Sequence, residues 1–298
     1  MNDIKEKFFN EGFISKINLF QKNEMNMIFD EYQDFLKKKN KLVDLVEHKS
    51  KTHLFFPWAN KLIRDKRIIN LVKEILGENI YCWNSLIFYK KPNSKAFVSM
   101  HQDQNYWGII HDKALSVQLA ISNSTEENGC LKLIPRSHKK NFVHKDLTNL
   151  NNILARGQSI SYNDIDKDDL ENIELSQGEG CMFHGNIVHG SFENQSSNPR
   201  MLFTMRFLTT DNKIKNEYYY NDATLVSGKD EYYYFNKEKS IDEVSIDELK
   251  KIHKKILINQ FEKYLKIKLK FNFITKFMMI FFNNDFLRGV VYKLSKKI

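Results

Sequence analysis

Two short segments of the 298-residue sequence contain a histidine and an aspartate separated by one residue, a spacing that can bind a metal ion. The first is His101 and Asp103 in SMHQDQNYWG, and the second is His144 and Asp146 in NFVHKDLT. Residues two apart in a strand project from the same face. Because alternating residues lead into the first pair, it predicts an imidazole and a carboxylate aimed at one point. The second pair follows a charged stretch, and we predict that it lies in a loop.

Two ligands are too few for such a site, and residues 178–207 offer a third. There, NIVHGS predicts a strand that ends at His189, and RMLFTMRF predicts a returning strand that begins at Arg200. Two histidines and one carboxylate, with the other metal positions open, are the ligand set of non-heme Fe(II) oxygenases. The open positions matter because a 2-oxo acid and O2 both bind there. The planar guanidinium of Arg200 suits bidentate binding of a carboxylate.

The surrounding sequence predicts mainly β structure. From Ile80 onward, short β-branched and aromatic runs are separated by turn signals such as PNSK, SNSTEENG and NQSSNP. Strands at this spacing favour an antiparallel sandwich or jelly roll. Before them, hydrophobic residues recur at helical spacing over residues 22–39 and 65–77, and Gly77 ends the second helix. We therefore expect a jelly roll with flanking N-terminal helices.

Composition and charge exclude several classes of protein. The sequence is 42% hydrophobic and 28% charged, as in an ordinary globular domain. Its longest apolar run, FMMIFF, is far shorter than a membrane span. Cys82, Cys130 and Cys181 form no C-x-x-C motif, so we expect reduced core residues of a cytoplasmic protein and neither disulfides nor a zinc site.

The net charge of +9 is concentrated near the C-terminus. Residues 250–298 contain 13 Lys and Arg and two acidic residues, whereas the other 249 residues contain 33 basic and 35 acidic side chains. Nucleic-acid binding would place the basic residues across the folded body, so we expect no nucleic-acid partner. We expect a jelly-roll domain at residues 1–235 and a basic, aromatic-rich helical extension at residues 236–298.

The extension has two interpretations. Phe273, Phe277, Ile280 and Phe281 can share one face of a helix. That face either packs on the jelly roll or enters an anionic membrane surface, where the lysines of residues 250–298 would meet lipid headgroups. The second interpretation predicts a cytoplasmic protein that is peripheral at the inner membrane surface. The sequence does not indicate an oligomeric state.

The order and spacing of these motifs resemble one enzyme family. The H-x-D motif at His101, then EENGCLKLIPRSH, then H-G-S-x-x-N-x-S from His189 with Arg200 eleven residues later, resemble the phytanoyl-CoA dioxygenase family of Fe(II)- and 2-oxoglutarate-dependent oxygenases. The resemblance covers most of residues 8–235. The segments HQDQNYWG, NILARGQ and LVSGKDEYYYF are similar to a subgroup that contains chlorinating enzymes and small-molecule hydroxylases.

The resemblance implies a double-stranded β-helix, a cupin-like jelly roll, that uses Fe(II), 2-oxoglutarate and O2. It implies that three residues bind Fe(II) and that three others lie at 2-oxoglutarate: His101, Asp103 and His189 for the iron, and Arg200, Gln102 and Ser191 for the co-substrate. The implied reaction hydroxylates a C–H bond of a small metabolite and converts 2-oxoglutarate to succinate and CO2.

Asp103 distinguishes among the implied reactions. Chlorinating relatives have Ala or Gly at this position, which leaves space for chloride on the iron, and a carboxylate fills that space. Hydroxylation, or another oxidation such as desaturation, is therefore favoured. Two alternatives stay open: a metal-binding jelly roll without catalysis, and an oxygenase acting on a lipid-linked or membrane-proximal glycan or a phosphonate. Relatives usually have Trp at Gln118 and often Arg at Ser227, so the motifs do not identify the substrate.

Other residues of these segments have competing interpretations. His138 is predicted to stabilise a loop, and His184 is predicted to face away from the metal because it lies five residues before His189. Trp107 either lines a substrate pocket or caps the core. Arg206 either contacts an acidic group of the substrate or pairs at the surface.

Overall fold

A computed structural model describes residues 2–38, 51–146, 149, 151–154, 158–215 and 221–239. Most of the expected basic extension, residues 240–298, lies outside the described residues. Its helices, its packing and its membrane contact therefore stay predictions. Within the described part of the chain, none of the helices has the length and apolar character needed to cross a bilayer.

The described chain is mainly β, with helices concentrated before the second strand. The helices are α1 (Asn2–Glu11), α2 (Lys22–Lys38), α3 (Pro57–Leu62), α4 (Lys66–Leu76) and α5 (Gln104–Trp107). The strands are β1 (Phe13–Asn18), β2 (Ile80–Lys90), β3 (Val98–His101), β4 (Ala114–Ala120), β5 (Leu131–Leu133), β6 (His144–Asp146), β7 (Gln158–Ile160), β8 (Glu171–Ile173), β9 (Glu179–His184), β10 (His189–Ser191), β11 (Arg200–Thr209), β12 (Asp222–Ser227) and β13 (Asn236–Lys237).

Eleven of the strands form a major and a minor sheet, and β6 and β7 pair as a separate two-stranded sheet. The major sheet has the order β1-β9-β4-β11-β2-β12-β13, and the minor sheet has the order β3-β10-β5-β8. Neighbouring strands are antiparallel except β12 and β13. Phe183 and Leu202 of the major sheet share a buried cluster with Leu131 and Ile173 of the minor sheet. One hydrophobic layer of the core therefore lies between the sheets, and the predicted jelly roll is confirmed.

The central strand β11 shows why helices cover one side of the major sheet. Met201, Phe203, Met205 and Phe207 alternate along it and belong to the cluster that contains the buried residues of α2, α3 and α4. Successive side chains of a strand point to opposite faces. The other face of β11 therefore carries Arg200, Leu202, Thr204 and Arg206 toward the space between the sheets.

Both predicted N-terminal helices are present. The hydrophobic spacing over residues 22–39 corresponds to α2, whose Met25 and Tyr32 are buried. The spacing over 65–77 corresponds to α4, which begins after Asp65 and ends before Gly77. The Asp65 side chain accepts a hydrogen bond from the amide of Arg67, as an N-cap does, and Gly77 has a φ of 82°.

Two predicted boundaries near the histidines are wrong. His144–Asp146 is the short strand β6, which pairs with β7 through His144 and Ile160, whereas we expected a loop. Backbone pairing produced a strand there without hydrophobic alternation. His189 begins β10, whereas we expected it to end a strand. The chain turns just before it, since the amide of Ile187 donates to the carbonyl of His184.

A buried network connects Glu238 to the jelly roll. Glu238 lies three residues past the expected domain boundary at residue 235. Glu238 lies 2.8 Å from Lys51 Nζ and 3.1 Å from His53 Nε2, and all three side chains are at most 5% exposed. The hydroxyl of Thr224 donates to Glu238 at 2.6 Å. His53 in turn contacts Ser85 in β2 at 2.7 Å. Residues 236–238 therefore pack with the jelly roll.

Replacing Glu238 with Ala should lower the free energy of unfolding by about 3–5 kcal/mol, because it removes the buried carboxylate that contacts both Lys51 and His53. Urea denaturation followed by circular dichroism measures this change. Glu231→Ala is the matched control: Glu231 pairs with Lys229 at the surface, where such a pair is worth about 0–1 kcal/mol. Equal effects of the two variants would contradict a structural role for the buried network.

Candidate metal centre

Three residues that the sequence singles out lie together inside the jelly roll. His101 at the end of β3 and His189 at the start of β10 are direct partners in the antiparallel pairing of these strands. Asp103 Oδ1 lies 3.4 Å from His101 Nε2, and Oδ2 lies 3.8 Å from His189 Nε2. All three residues are buried, and their candidate ligand atoms lie within 4.8 Å of one another. A single ion can contact all three.

The backbone at Asp103 differs from the continuous strand that the alternating residues predict. Strand β3 ends at His101, and Asp103 has a helical backbone conformation at the cap of α5. The amide of Gln104 donates to the carbonyl of Gly185 at 2.9 Å, which fixes the start of α5 beside the loop that precedes His189. The aspartate therefore depends on a strand-to-helix transition for its position.

The histidine rings are oriented as metal ligands require. Nδ1 of His101 lies 2.9 Å from the carbonyl of Ser99, and Nδ1 of His189 lies 3.0 Å from the carbonyl of Ile187. Since a carbonyl only accepts, each Nδ1 donates, and each neutral ring presents its Nε2 lone pair to the centre. His101 Nε2 is buried and has no hydrogen-bond partner. Two imidazole lone pairs and a carboxylate that converge in a buried space fit a metal cation.

The protonation states fit the same interpretation. Burial lowers the pKa of His189 to about 4, so its ring is neutral near pH 7, as a metal ligand must be. Burial alone would raise the pKa of Asp103, but Arg206 and the two histidines hold that pKa well below its ordinary value. The centre therefore presents the negative charge of Asp103 beside the neutral ring of His189.

Arg206 has a contact that the sequence did not predict. Its Nη2 donates to both oxygens of Asp103, at 2.8 and 3.1 Å, and its guanidinium lies over the ring of Trp107, 5.3 Å from the centroid. We expected either a substrate acid or a surface pair. The available signal was the alternation along β11, which puts Arg206 on the same face as Arg200.

Arg200 lies at the other end of that face, directly opposite Lys90 of β2 in the register. Both side chains are buried. Arg200 Nη1 donates to the carbonyl of Gly129 at 2.6 Å. Lys90 Nζ donates to the hydroxyl of Ser191 at 2.8 Å and to the carbonyls of Gly129, at 3.3 Å, and Phe192. Within the described chain, neither cation forms an ion pair with a carboxylate.

This pair of like charges is strained electrostatically. Burial, and secondarily the charge of Arg200, lowers the pKa of Lys90 from 10.5 to about 6. Burial also lowers the pKa of Arg200 to about 10. Arg200 was expected here from the sequence, whereas Lys90 was missed because YKKP resembles the end of a strand at a turn. Arg200 and the basic amine of Lys90 are buried without a carboxylate partner among the described residues, an arrangement that a bound anion would stabilise.

A cavity of about 30 Å³ joins the three-ligand cluster to Arg200. Ser191 lines it, as the resemblance implies, together with Gln118 and Thr204. The lining does not include Gln102, although the resemblance implies that it contacts the co-substrate. A larger cleft of about 410 Å³ lies elsewhere, between α1 and α4, and contains none of the three ligands.

The Gln102 side chain is instead bound to loops. Its amide nitrogen donates to the carbonyls of Lys140, at 2.7 Å, and Asn186, at 2.6 Å, and its oxygen accepts from the amide of Phe142 at 3.0 Å. These contacts use most of the hydrogen-bonding capacity of the side chain. The structure therefore does not support the implied contact of Gln102 with 2-oxoglutarate.

Three other histidines that the sequence singles out lie outside the cluster. His144 Nε2 accepts a hydrogen bond from the backbone amide of Gln102 at 2.9 Å, so it stabilises the backbone between His101 and Asp103. His184 pairs with Asp112 at 3.3 Å. His138 contacts the carbonyl of Phe9 at 3.0 Å, which agrees with its expected role in stabilising a loop.

Comparison with known proteins agrees with this geometry. The family model for phytanoyl-CoA dioxygenase (PhyH) matches residues 20–202. A probable alpha-ketoglutarate-dependent hypophosphite dioxygenase of Stutzerimonas stutzeri is 28% identical over 183 residues, which are 61% of this chain and 64% of that protein. The phytanoyl-CoA dioxygenase of Arabidopsis thaliana is 32% identical over 127 residues, 43% of this chain and 44% of that protein. The match thus spans less than two thirds of either relative.

A solved structure shows the same fold. The apo form of the non-heme monooxygenase ThoJ superposes with a TM-score of 0.76 at 23% identity, and the match covers 90% of this chain and 99% of that one. The family model covers more than half of the 298-residue chain. The chain belongs to the phytanoyl-CoA dioxygenase family.

Proposed function

We propose that this protein is an Fe(II)- and 2-oxoglutarate-dependent dioxygenase that hydroxylates a C–H bond of a small metabolite and releases succinate and CO2. One observation carries the proposal: a buried His-Asp-His cluster shares a cavity with Arg200, which faces Lys90. The cluster fits a metal ion, and the paired cations fit the distal carboxylate of a 2-oxo diacid.

In this proposal, His101, Asp103 and His189 hold the ion through Nε2, a carboxylate oxygen and Nε2. The carbonyls of Ser99 and Ile187 keep the rings in the required tautomer. The chemistry that bound Fe(II) supplies is the activation of O2 beside the chelated 2-oxo acid. Burial of all three ligands keeps water away from the reacting groups.

Arg200 and Lys90 would bind the distal carboxylate through charge-assisted hydrogen bonds. Ser191 accepts from Lys90, so its own hydroxyl proton is available to a carboxylate oxygen. The cavity of about 30 Å³ holds little more than one water molecule. Binding of the diacid therefore requires the lining side chains to move apart, and Arg200 to turn from the carbonyl of Gly129 toward the ligand.

Binding of 2-oxoglutarate should take up close to one proton between about pH 7 and 9. Without an anion the pKa of Lys90 is about 6, so its amine is mostly neutral in this range. A carboxylate at Lys90 favours the charged form and raises the pKa, so binding protonates the amine. Calorimetric titration in buffers of different ionisation enthalpy measures the uptake. Lys90→Met should abolish it, and a wild-type protein without proton uptake would contradict a contact between Lys90 and the diacid.

Product analysis tests the reaction. Protein loaded anaerobically with Fe(II) is incubated with 2-oxoglutarate, O2 and a panel of metabolites, and products are identified by mass spectrometry. We expect succinate together with a product that has gained one oxygen, whereas desaturation would remove two hydrogens. Because Asp103 occupies the position that chloride would need, no chlorinated product should form in chloride buffer. Asp103→Gly should lose hydroxylation.

Two outcomes would contradict the proposal. Succinate that never exceeds the level of an Asp103→Gly control, across the panel, would favour a metal-binding jelly roll without catalysis. A chlorinated product from the wild type would show that Asp103 does not hold the ion.

A further inference from the structure

Arg206 lines the cavity that contains the three candidate metal ligands. It is on the same face of β11 as Arg200 and Thr204, and all three line the cavity. Arg200 and Arg206 are six positions apart in β11, which corresponds to about 20 Å along a strand. Their side chains therefore enter the cavity from opposite ends. Arg206 lies at the end that holds the metal ligands, since it contacts Asp103. This end is separate from the proposed diacid site at Arg200 and Lys90.

The hydrogen bonding at this end is incomplete. Arg206 Nε is buried and has no partner, and the whole side chain is only 13% exposed. Gln118, which lines the same cavity, donates to Thr204 at 3.0 Å, but its Oε1 is also buried without a partner. Ser116 lies directly opposite Arg206 in the β4–β11 register, and its buried hydroxyl has no partner either. Arg206 and Gln118 line the cavity, and buried polar groups without partners in a cavity indicate a polar ligand.

The charges indicate the sign of that ligand. Among the described residues that line the cavity, Asp103 is the only one with a carboxylate. Arg200 and Arg206 also line the cavity and are positively charged. A divalent ion on Asp103 would share the negative charge that now neutralises Arg206. Arg200 and Lys90 would neutralise the distal carboxylate of a diacid, and its other carboxylate would offset one of the two positive charges of the ion. The guanidinium of Arg206 would then be nearly buried without a sufficient counter-ion, which is costly unless another anion binds.

We propose that the substrate of this enzyme is a small oxyanion whose carboxylate or phosphonate group binds Arg206. The inference rests on the proposed function, because it places the anion beside the metal centre. Trp107 lies against the guanidinium and restricts its orientation, so that the unpaired Nε–H points to a defined place. Arginine is suited to this task since its planar donors match the oxygens of both acid groups. Gln118 Oε1 would accept a hydrogen bond from a hydroxyl or amine of the same molecule.

The test titrates small acids and their neutral analogues into the full-length protein under anaerobic conditions with Fe(II) and saturating 2-oxoglutarate. Methylphosphonate is compared with its dimethyl ester, and propionate with propionamide, which distinguishes the two acid classes. The readouts are the visible charge-transfer band of the chelated 2-oxo acid and the tryptophan fluorescence, to which Trp107 beside Arg206 contributes together with Trp58 and Trp83. At least one acid should change both signals at a concentration at least tenfold below its neutral analogue.

Variants assign the effect to Arg206. Arg206→Gln should weaken binding of that acid at least tenfold while the charge-transfer band persists, and Arg206→Lys should give an intermediate affinity. Arg136→Gln is the control, because Arg136 is 68% exposed and pairs only distantly with Glu11, at 3.8 Å; it should bind the acid as the wild type does.

The outcomes separate this inference from the proposed function. Fluorescence-detected acid binding that depends on Arg206, in a protein that never forms the band, would support the anion site and contradict the proposed function. A band without preference for acids, or acid binding that survives Arg206→Gln, would overturn the inference. Loss of the band itself in both Arg206 variants would show that Arg206 only positions Asp103 for the metal, which also overturns it.

Discussion

Replacing His189 with Ala should lower the affinity for Fe(II) by more than about a hundredfold. The substitution removes one of three ligands, and loss of even an outer-shell partner typically costs about 10–100-fold in metal affinity. His189 is also the ligand that Ile187 holds in the metal-binding tautomer. Anaerobic equilibrium dialysis against Fe(II) measures the change.

His144→Ala is the matched control for this prediction. It removes a histidine from the other H-x-D segment, whose ring contacts the backbone of Gln102 and lies outside the three-ligand cluster. We expect its Fe(II) affinity to stay within a few-fold of the wild type. If His144→Ala lost the metal and His189→Ala kept it, the assignment of the two segments would be wrong.

Replacing Arg200 with Ala should raise the concentration of 2-oxoglutarate required for turnover well over tenfold. Truncating one partner of a buried, hydrogen-bonded charge pair costs about 2–5 kcal/mol. Arg200→Lys should rescue only part of the loss, because an ammonium does not reproduce the planar guanidinium. Steady-state measurement of the Michaelis constant for 2-oxoglutarate tests this, with Arg136→Gln as the exposed control. A Michaelis constant unchanged in Arg200→Ala would remove Arg200 from the co-substrate site.

The ligand cluster was largely predictable because its residues belong to motifs in a fixed order. His101, Asp103 and His189 come together as expected, and Arg200 begins β11 as expected. The backbone conformation of Asp103 was not predictable from the sequence. A strand that continued past His101 would also have placed the side chains of His101 and Asp103 on one face. The start of α5 depends on a hydrogen bond to Gly185, a contact distant in the sequence.

The residues that were missed depend on pairing between strands. Lys90 lies beside Arg200 because β2 aligns the two residues, and no local pattern in YKKP gives that register. Arg206 meets Asp103 because β11 passes the end of β3, and the side-chain contacts of Gln102 depend on loops far along the chain. Strand β6 formed through pairing with β7 despite its polar residues. Local hydrophobic spacing, by contrast, was sufficient for α2 and α4, which pack as amphipathic helices.

The most direct test of the central claim is the visible absorption of the wild-type protein in the absence of O2. Addition of Fe(II) and then 2-oxoglutarate should produce the charge-transfer band of a 2-oxo acid chelated to iron, and His189→Ala should not produce it. A wild-type protein that binds Fe(II) tightly but develops no band at saturating 2-oxoglutarate would contradict assignment of the cluster and Arg200 to one catalytic site.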